Sequence, residues 1–245
     1  MPKEKRWVFI GDTHAEPNGI WTKDRLTKKR PRQWWLNEQF DTALEEIATL
    51  TKKYIVTFGG GGDMVDEPGK ANRDAIVERM LPLTKKLSKS CLWGVVGTSY
   101  HVGQNGDEDR QVYQELGVTE ERISYGHRIL EGKRRLWWAH HGATLGVDLE
   151  MGLTRTAKKI FDECREYGYA KPDALIFHHT HSTHGEPSFY RGIKVGVVPC
   201  WQLPNEYSAK RLMWKTPAIG YTIWNPHTNE LTWRLFPIPE GLLYG

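Results

Sequence analysis

The chain has 245 residues, 39% of them apolar, with 34 Lys and Arg against 30 Asp and Glu, a net charge of +4. That is enough apolar matter for a packed core and excludes the low-hydropathy, highly charged class that stays disordered. No run approaches the ~20 apolar residues of a membrane helix. The opening apolar run is too short for a secretion signal, and Cys91, Cys164 and Cys200 form no zinc-type pair. A cytoplasmic protein with reduced thiols, making no membrane contact, is expected. With no linker and no internal repeat, one domain over 1–245 is expected.

In chain order, WVFI (7–10) is the first short apolar run closed by a turn residue, which predicts a buried strand. Residues 21–35, WTKDRLTKKRPRQWW, are basic, with Asp24 the single acid, and carry Trp21, Trp34 and Trp35. They read as a basic, tryptophan-containing insertion of about 16–35. WWLNEQFDTALEEIATL then puts Trp35, Phe40, Leu44, Ile47 and Leu50 largely on one helical face. YIVTF (54–58) predicts a second strand, and ANRDAIVERMLPLTKKL a second helix that Pro82 kinks or ends. CLWGVV (91–96), RLWWA (135–139) and ALIF (174–177) predict further strands, with a third helix in GLTRTAKKIFDECREYG. GIKVGVV, GYTIW and ELTWRLF close the chain as three strand-like runs, the last two joined by the turn NPHTNE. Strands alternating with helices and then pairing locally imply an α/β fold with a mixed sheet or sandwich.

The chemistry sits just past the strands. GDTH supplies Asp12 and His14, and GDMVD supplies Asp63 and Asp66 after four glycines. GTSYH supplies His101, HHG supplies His140 and His141, and HHTH supplies His178, His179 and His181. Ligands of open α/β sheets bind at the strands' carboxyl ends, so strands sharing one sheet would gather all these groups on one edge. D-x-H and H-x-H each repeat a face of extended chain. Carboxylate with imidazole suits Mn, Fe, Zn or Co and offers nothing to a soft, thiolate-seeking ion. Two divalent cations are expected, since a pair ~3.5–4 Å apart is the known clamp for displacement at phosphorus. The glycines lower the steric cost of a tight turn and are expected to leave room for the metals. Asp63 would bridge the ions, with Asp66 placed to hydrogen-bond a neighbour.

In order and spacing these motifs resemble the calcineurin-like metallophosphoesterases, over residues 11–181. The resemblance implies a β-sandwich of two mixed sheets flanked by helices and a site that hydrolyses phosphate esters with two divalent ions (Mn first, then Fe, Zn, Co or Ni). It assigns Asp12, His14, Asp63 and His181 to one ion, and Asp63, one of His140 and His141, and His179 to the other. Adjacent histidines point in different directions, and His140 is favoured. His101 resembles the catalytic histidine and Asp66 the carboxylate that orients it.

The third motif departs from the family, whose Asn ligand directly precedes that histidine. Here Thr98, a water or Asn105 would fill the place. His178 stands where the family has glycine, either touching substrate or packing. The implied activity is a phosphodiesterase, with nucleic acid a candidate substrate because basic residues meet phosphates and aromatic rings stack on bases. Trp201 and Tyr207 are candidates for the cleft rim. A phosphomonoesterase or protein phosphatase, and a metal-binding member without turnover, are the alternatives.

Overall fold

The structure is a computed structural model and describes residues 3–16, 19–103, 105–142, 148–181, 183, 185–203 and 217–243. Its framework is two sheets. The first has the order β11 (Glu230–Phe236), β10 (Ile219–Asn225), β1 (Lys5–Ile10), β2 (Ile55–Gly60), β3 (Leu92–Val95), β4 (Ile123–Ser124). The second runs β5 (Gly126–Glu131), β6 (Arg134–Ala139), β7 (Ala174–Phe177), β9 (Ile193–Val197), β8 (Ser188–Tyr190). Both are mixed. β1 pairs parallel with β2 and antiparallel with β10, while β7 lies parallel between β6 and β9.

The strand sequences explain the layers. Along β1 the side chains alternate: Trp7 and Phe9 enter one core, Val8 and Ile10 another. A strand covered on both faces needs apolar residues throughout, hence the uninterrupted WVFI. Trp7 and Phe9 meet Leu136, Trp138 and Ile176 of the second sheet, so this core lies between the sheets. On the outer face of the first sheet pack α1 (Pro31–Lys53), α2 (Lys70–Thr84) and α4 (Asp107–Glu115), through Phe40 and Ile47, Ile76 and Met80, and Val112. α5 (Leu149–Glu166) covers the second sheet with Leu153 and Ala157 against Leu175 and Val195. The architecture is two mixed sheets flanked by helices.

Pro31 opens α1, where its missing N–H costs nothing. Pro82 lies in the last turn of α2, which ends two residues later. The five motif-bearing strands do not share one sheet: β1, β2 and β3 belong to the first, β6 and β7 to the second. The motifs therefore meet across the seam of the sandwich, not along one sheet edge. Among the described residues no helix is long and apolar enough to cross a membrane. All three cysteines are free thiols.

Candidate metal centre

The loops after β1, β2, β6 and β7 carry the site, and the backbone after β1, β2 and β7 is strained. Asp12, His14, Asp63, His179 and His181 have φ of 51°, 43°, 45°, 69° and 56°. Such left-handed conformations cost about 1–3 kcal/mol each and persist where the surroundings over-determine them. Here the loops bind one another. Asp12 N–H donates to the Gly62 carbonyl (2.9 Å), His14 N–H to the Asp63 carbonyl (3.1 Å) and Trp201 N–H to the Asp12 carbonyl (2.9 Å). His178 N–H reaches the His140 carbonyl at 3.1 Å, and Ala218 N–H the His181 carbonyl at 3.0 Å. These loops bring the five side chains into one cluster.

The glycines let neighbouring side chains close on the backbone. A Cβ on Gly61 would lie 1.8 Å from the His178 ring, and one on Gly62 would lie 2.7 Å from His140 Nδ1. A Cβ on Gly60 would strike Tyr113 at 2.4 Å. The glycine run makes room for two imidazoles and a phenol. Another glycine, Gly97, guards the carboxylate, since a Cβ there would come within 2.1 Å of Asp63 Oδ1.

Among the described residues four overlapping groups of possible donors result, the last of them His14, Asp66 and His101. Asp12, His14 and His181 form one, with the two imidazole Nε2 atoms 3.0 Å apart and His181 Nε2 3.7 Å from Asp12 Oδ1. Asp12, Asp63, His140 and His179 form the second, with Asp63 Oδ2 3.0 Å from His140 Nε2 and 3.7 Å from His179 Nδ1. His140 is buried, and its Nδ1 donates to the Gly61 carbonyl at 2.7 Å, the outer anchor that metal-ligating histidines commonly have. His141 is exposed, yet it does not diverge: its ring centroid is 4.6 Å from His140 and 4.4 Å from His179, and the three form a further donor group. Asp66 stands back. Its Oδ1 lies 3.3 Å from His14 Nδ1 and 3.4 Å from His101 Nδ1, and its carbonyl accepts from His101 Nδ1 at 2.8 Å.

The electrostatics fit a cation site. Burial raises the pKa of Asp12, but His140, His178 and His181 around it more than reverse this, leaving it well below the usual range. Asp63 follows the same pattern: burial opposes ionisation, and hydrogen bonds from His140 and His179 prevail. Both carboxylates stay charged with little exposure. Burial also disfavours charge on His140, but Asp12 and Asp63 hold its pKa up at about 9. Burial and the neighbouring His14 bring His181 down to about 4, and burial with His140 and His179 brings His141 to about 4. Two imidazoles meeting nitrogen to nitrogen beside buried carboxylates form a donor set suited to a borderline divalent ion.

In the third motif, Thr98 takes the place beside Asp63. Its N–H donates to Asp63 Oδ1 at 2.6 Å and its hydroxyl to the same oxygen at 3.0 Å. Asn105 is exposed, its carbonyl accepting from Arg110 at 3.3 Å, and is no part of the cluster. His101 sits on the one-turn helix α3 (Ser99–Val102), edge-on to His14 at 4.7 Å.

Two residues that sequence reasoning missed hold the loops together. Fully buried Asp109 accepts the N–H groups of Asp63 (3.1 Å), Met64 (2.9 Å) and Gly97 (2.8 Å). Burial and the nearby Asp63 push its pKa up to about 7. Tyr113 hydroxyl accepts from Gly62 N–H (2.8 Å) and donates to the Val95 carbonyl (2.9 Å). In sequence, Asp109 is one of three acids in the first turn of α4, an ordinary helix start, and nothing in the spacing marks it as the one that turns inward.

The tryptophans are mostly structural. Trp21 is buried under the Arg30 guanidinium, Trp35 packs on the core, and Trp34 lies beneath Lys28. Trp201 is buried between Phe40 and Phe236, not at a rim. Tyr207 lies outside the described residues.

No protein-family profile and no curated protein matches the sequence. Among solved structures, the hypothetical protein PH1004 from Pyrococcus horikoshii OT3 is similar over 98% of this chain and 90% of its own, at 9% identity and a TM-score of 0.55. A novel archaeal phosphodiesterase aligns over 94% of this chain and 99% of its own, at 11% identity and a TM-score of 0.49. Vps29 from Entamoeba histolytica aligns over 95% and 99%, at 11% identity and a TM-score of 0.47. At such identities the likeness is one of fold. The likeness to PH1004 is one of fold, and that fold in this chain is two mixed sheets flanked by helices.

Proposed function

We propose that the chain is a dinuclear-metal-dependent phosphoesterase that hydrolyses phosphate diesters. One observation carries this reading: Asp12, His14, Asp63, His140, His179 and His181, drawn from four separate loops across two sheets, converge as two adjoining donor groups. Asp12, His14, Asp63 and His181 would hold one divalent ion, and Asp63, His140 and His179 the other, with His141 at its rim. The pair, when bound, supplies charge neutralisation at the phosphoryl oxygens and a more acidic water.

The chain's own groups do the rest. Asp66 takes up Nδ1 of His101 through its carbonyl, which leaves Nε2 as the nitrogen able to give a proton to the leaving oxygen. Asp66 Oδ1 faces the same ring at 3.4 Å and steadies it when charged. Thr98 and Asp109 hold the Asp63 loop so that its carboxylate faces the pocket. Manganese is the ion to try first. Nucleic acid is the diester class to try first, supported by Tyr100, 85% exposed beside His101. Within 16–35, Trp21 is buried under Arg30, while Trp34 and Trp35 are partly exposed.

The test joins metal analysis to turnover. Two Mn²⁺ per chain, faster cleavage of bis-(p-nitrophenyl) phosphate than of p-nitrophenyl phosphate, and loss of both in Asp63→Ala are expected. Preference for the monoester would make it a phosphomonoesterase or protein phosphatase. A second reading, a metal-binding protein without turnover, is favoured by Thr98, whose two hydrogen bonds occupy an Asp63 oxygen. Two bound ions with no ester cleaved, single- and double-stranded DNA included, would establish it.

A further inference from the structure

His178 belongs to none of the donor groups and is 1% exposed. Its Nε2 accepts the indole N–H of Trp138 at 3.0 Å. An indole nitrogen only donates, so Nε2 must present a lone pair and the neutral ring must carry its proton on Nδ1. Nδ1 has no well-formed hydrogen bond and faces Asp12 Oδ2 at 3.5 Å, a gap that a small turn of either side chain closes. A buried N–H without an acceptor would cost about 1–3 kcal/mol, so the approach to Asp12 has a driving force.

The surroundings hold the ring in this attitude. A Cβ on Gly11 would lie 2.5 Å from His178 Nδ1 and one on Gly61 1.8 Å from Cε1, so the imidazole occupies space that only two glycines leave. It lies parallel to His140, centroids 6.1 Å apart and planes 10° apart. Trp138 is fixed in turn against Phe9 and His127, at 5.2 and 5.4 Å. The line Trp138–His178–Asp12 crosses from the second sheet to the first.

We propose that His178 is a positioning residue: Trp138 sets its tautomer, and its Nδ1–H holds the Asp12 carboxylate in the orientation that meets a cation. The proposal rests on the metal-centre reading above. Outer partners of this kind change metal affinity by roughly 10–100-fold.

Three full-length variants and two measurements test it. In the metal-free wild type, long-range ¹H–¹⁵N spectra of the imidazoles should show His178 as the Nδ1–H tautomer, and Trp138→Phe should mix in the other. In Mn²⁺ titrations, His178→Leu should weaken one of two bound ions by about 10–100-fold. His178→Asn, whose amide N–H can stand where Nδ1–H stood, should recover most of that affinity, and Trp138→Phe should fall between. An Nε2–H tautomer in the wild type overturns the proposal, as does folded His178→Leu with unchanged Mn²⁺ binding. Should the leucine variant misfold, the tautomer spectra of wild type and Trp138→Phe decide. Wild type that takes up no Mn²⁺ overturns the metal-centre reading itself, which separates the two failures.

Discussion

The two sheets contribute unlike halves to the centre. The first sheet's loops bring both carboxylates, Asp12 and Asp63, together with His14, His101 and Asp66. The second sheet's loops bring only imidazoles: His140, His141, His178, His179 and His181. Neither half by itself is a good cation site, because one concentrates buried negative charge and the other is a crowd of neutral or repelling rings. Each relieves the other. The histidines hold the two aspartates ionised, and the aspartates hold His140 at about 9. Packing the sheets and assembling the site are thus the same event.

The largest effect is expected from removing the carboxylate proposed to bridge the two ions. Asp63→Ala should lower diesterase activity by on the order of 10³-fold, the equivalent of several kcal/mol of lost charge stabilisation. Metal analysis should show the loss of both ions. Retention of two ions would mean that the halves do not share Asp63.

Removing a group that is not a ligand tests the catalytic assignment. His101→Asn should lower kcat by about 10²–10⁴-fold for alkyl diesters and far less for p-nitrophenyl esters, whose leaving group needs little protonation. Mn²⁺ content should not change. A drop equal for both leaving groups would remove the general-acid role.

One-sided deletions come next. His14→Ala should leave one ion per chain while keeping Asp63, His140 and His179 able to hold theirs. His179→Ala should do the reverse. Loss of both ions from either single change would show one coupled unit in place of two adjoining ones.

A smaller effect sharpens what holds the first sheet's loops. Tyr113→Phe leaves the buried Gly62 N–H without its acceptor, at a cost of about 1–3 kcal/mol read from urea unfolding. The smallest lies far from the site. Glu46 accepts Arg234 (2.8 Å) and Tyr221 (2.9 Å), tying α1 to β10 and β11, and the Arg234 hydrogen bond, set against partial burial, lowers its pKa below 4.5. A lowered acid contributes stability above its unfolded pKa and loses it as pH falls through its folded pKa. Between pH 5 and 3, Glu46→Gln should therefore lose less stability than wild type in the same acid series.

Much of this was legible in the sequence, and the reasons are specific. WVFI, YIVTF and ALIF read as strands because chain buried on both faces must be apolar throughout. Phe40, Leu44 and Ile47 read as one face because helical spacing repeats it. β4, β5, β8 and the short helices α3 and α4 left no such trace. GHRILE in β5 is an edge strand in which polar His127 shares the inner face with Ile129 while Leu130 is exposed, so periodicity is weak there. The site residues were visible as types following strands, but Asp109 and Tyr113 were not, because their importance lies in which backbone groups they meet.

By itself the sequence determined the strands, the principal helices and a chemical inventory of carboxylates and imidazoles at their ends, since burial and spacing are local patterns. Only the tertiary structure decided that those ends belong to two sheets, that the glycines make room for His178, His140 and Tyr113, and that Trp138 reaches the ring beside Asp12. Those facts depend on which distant loops are pressed together, and no run of neighbouring residues encodes a contact between positions 12, 61, 138 and 178.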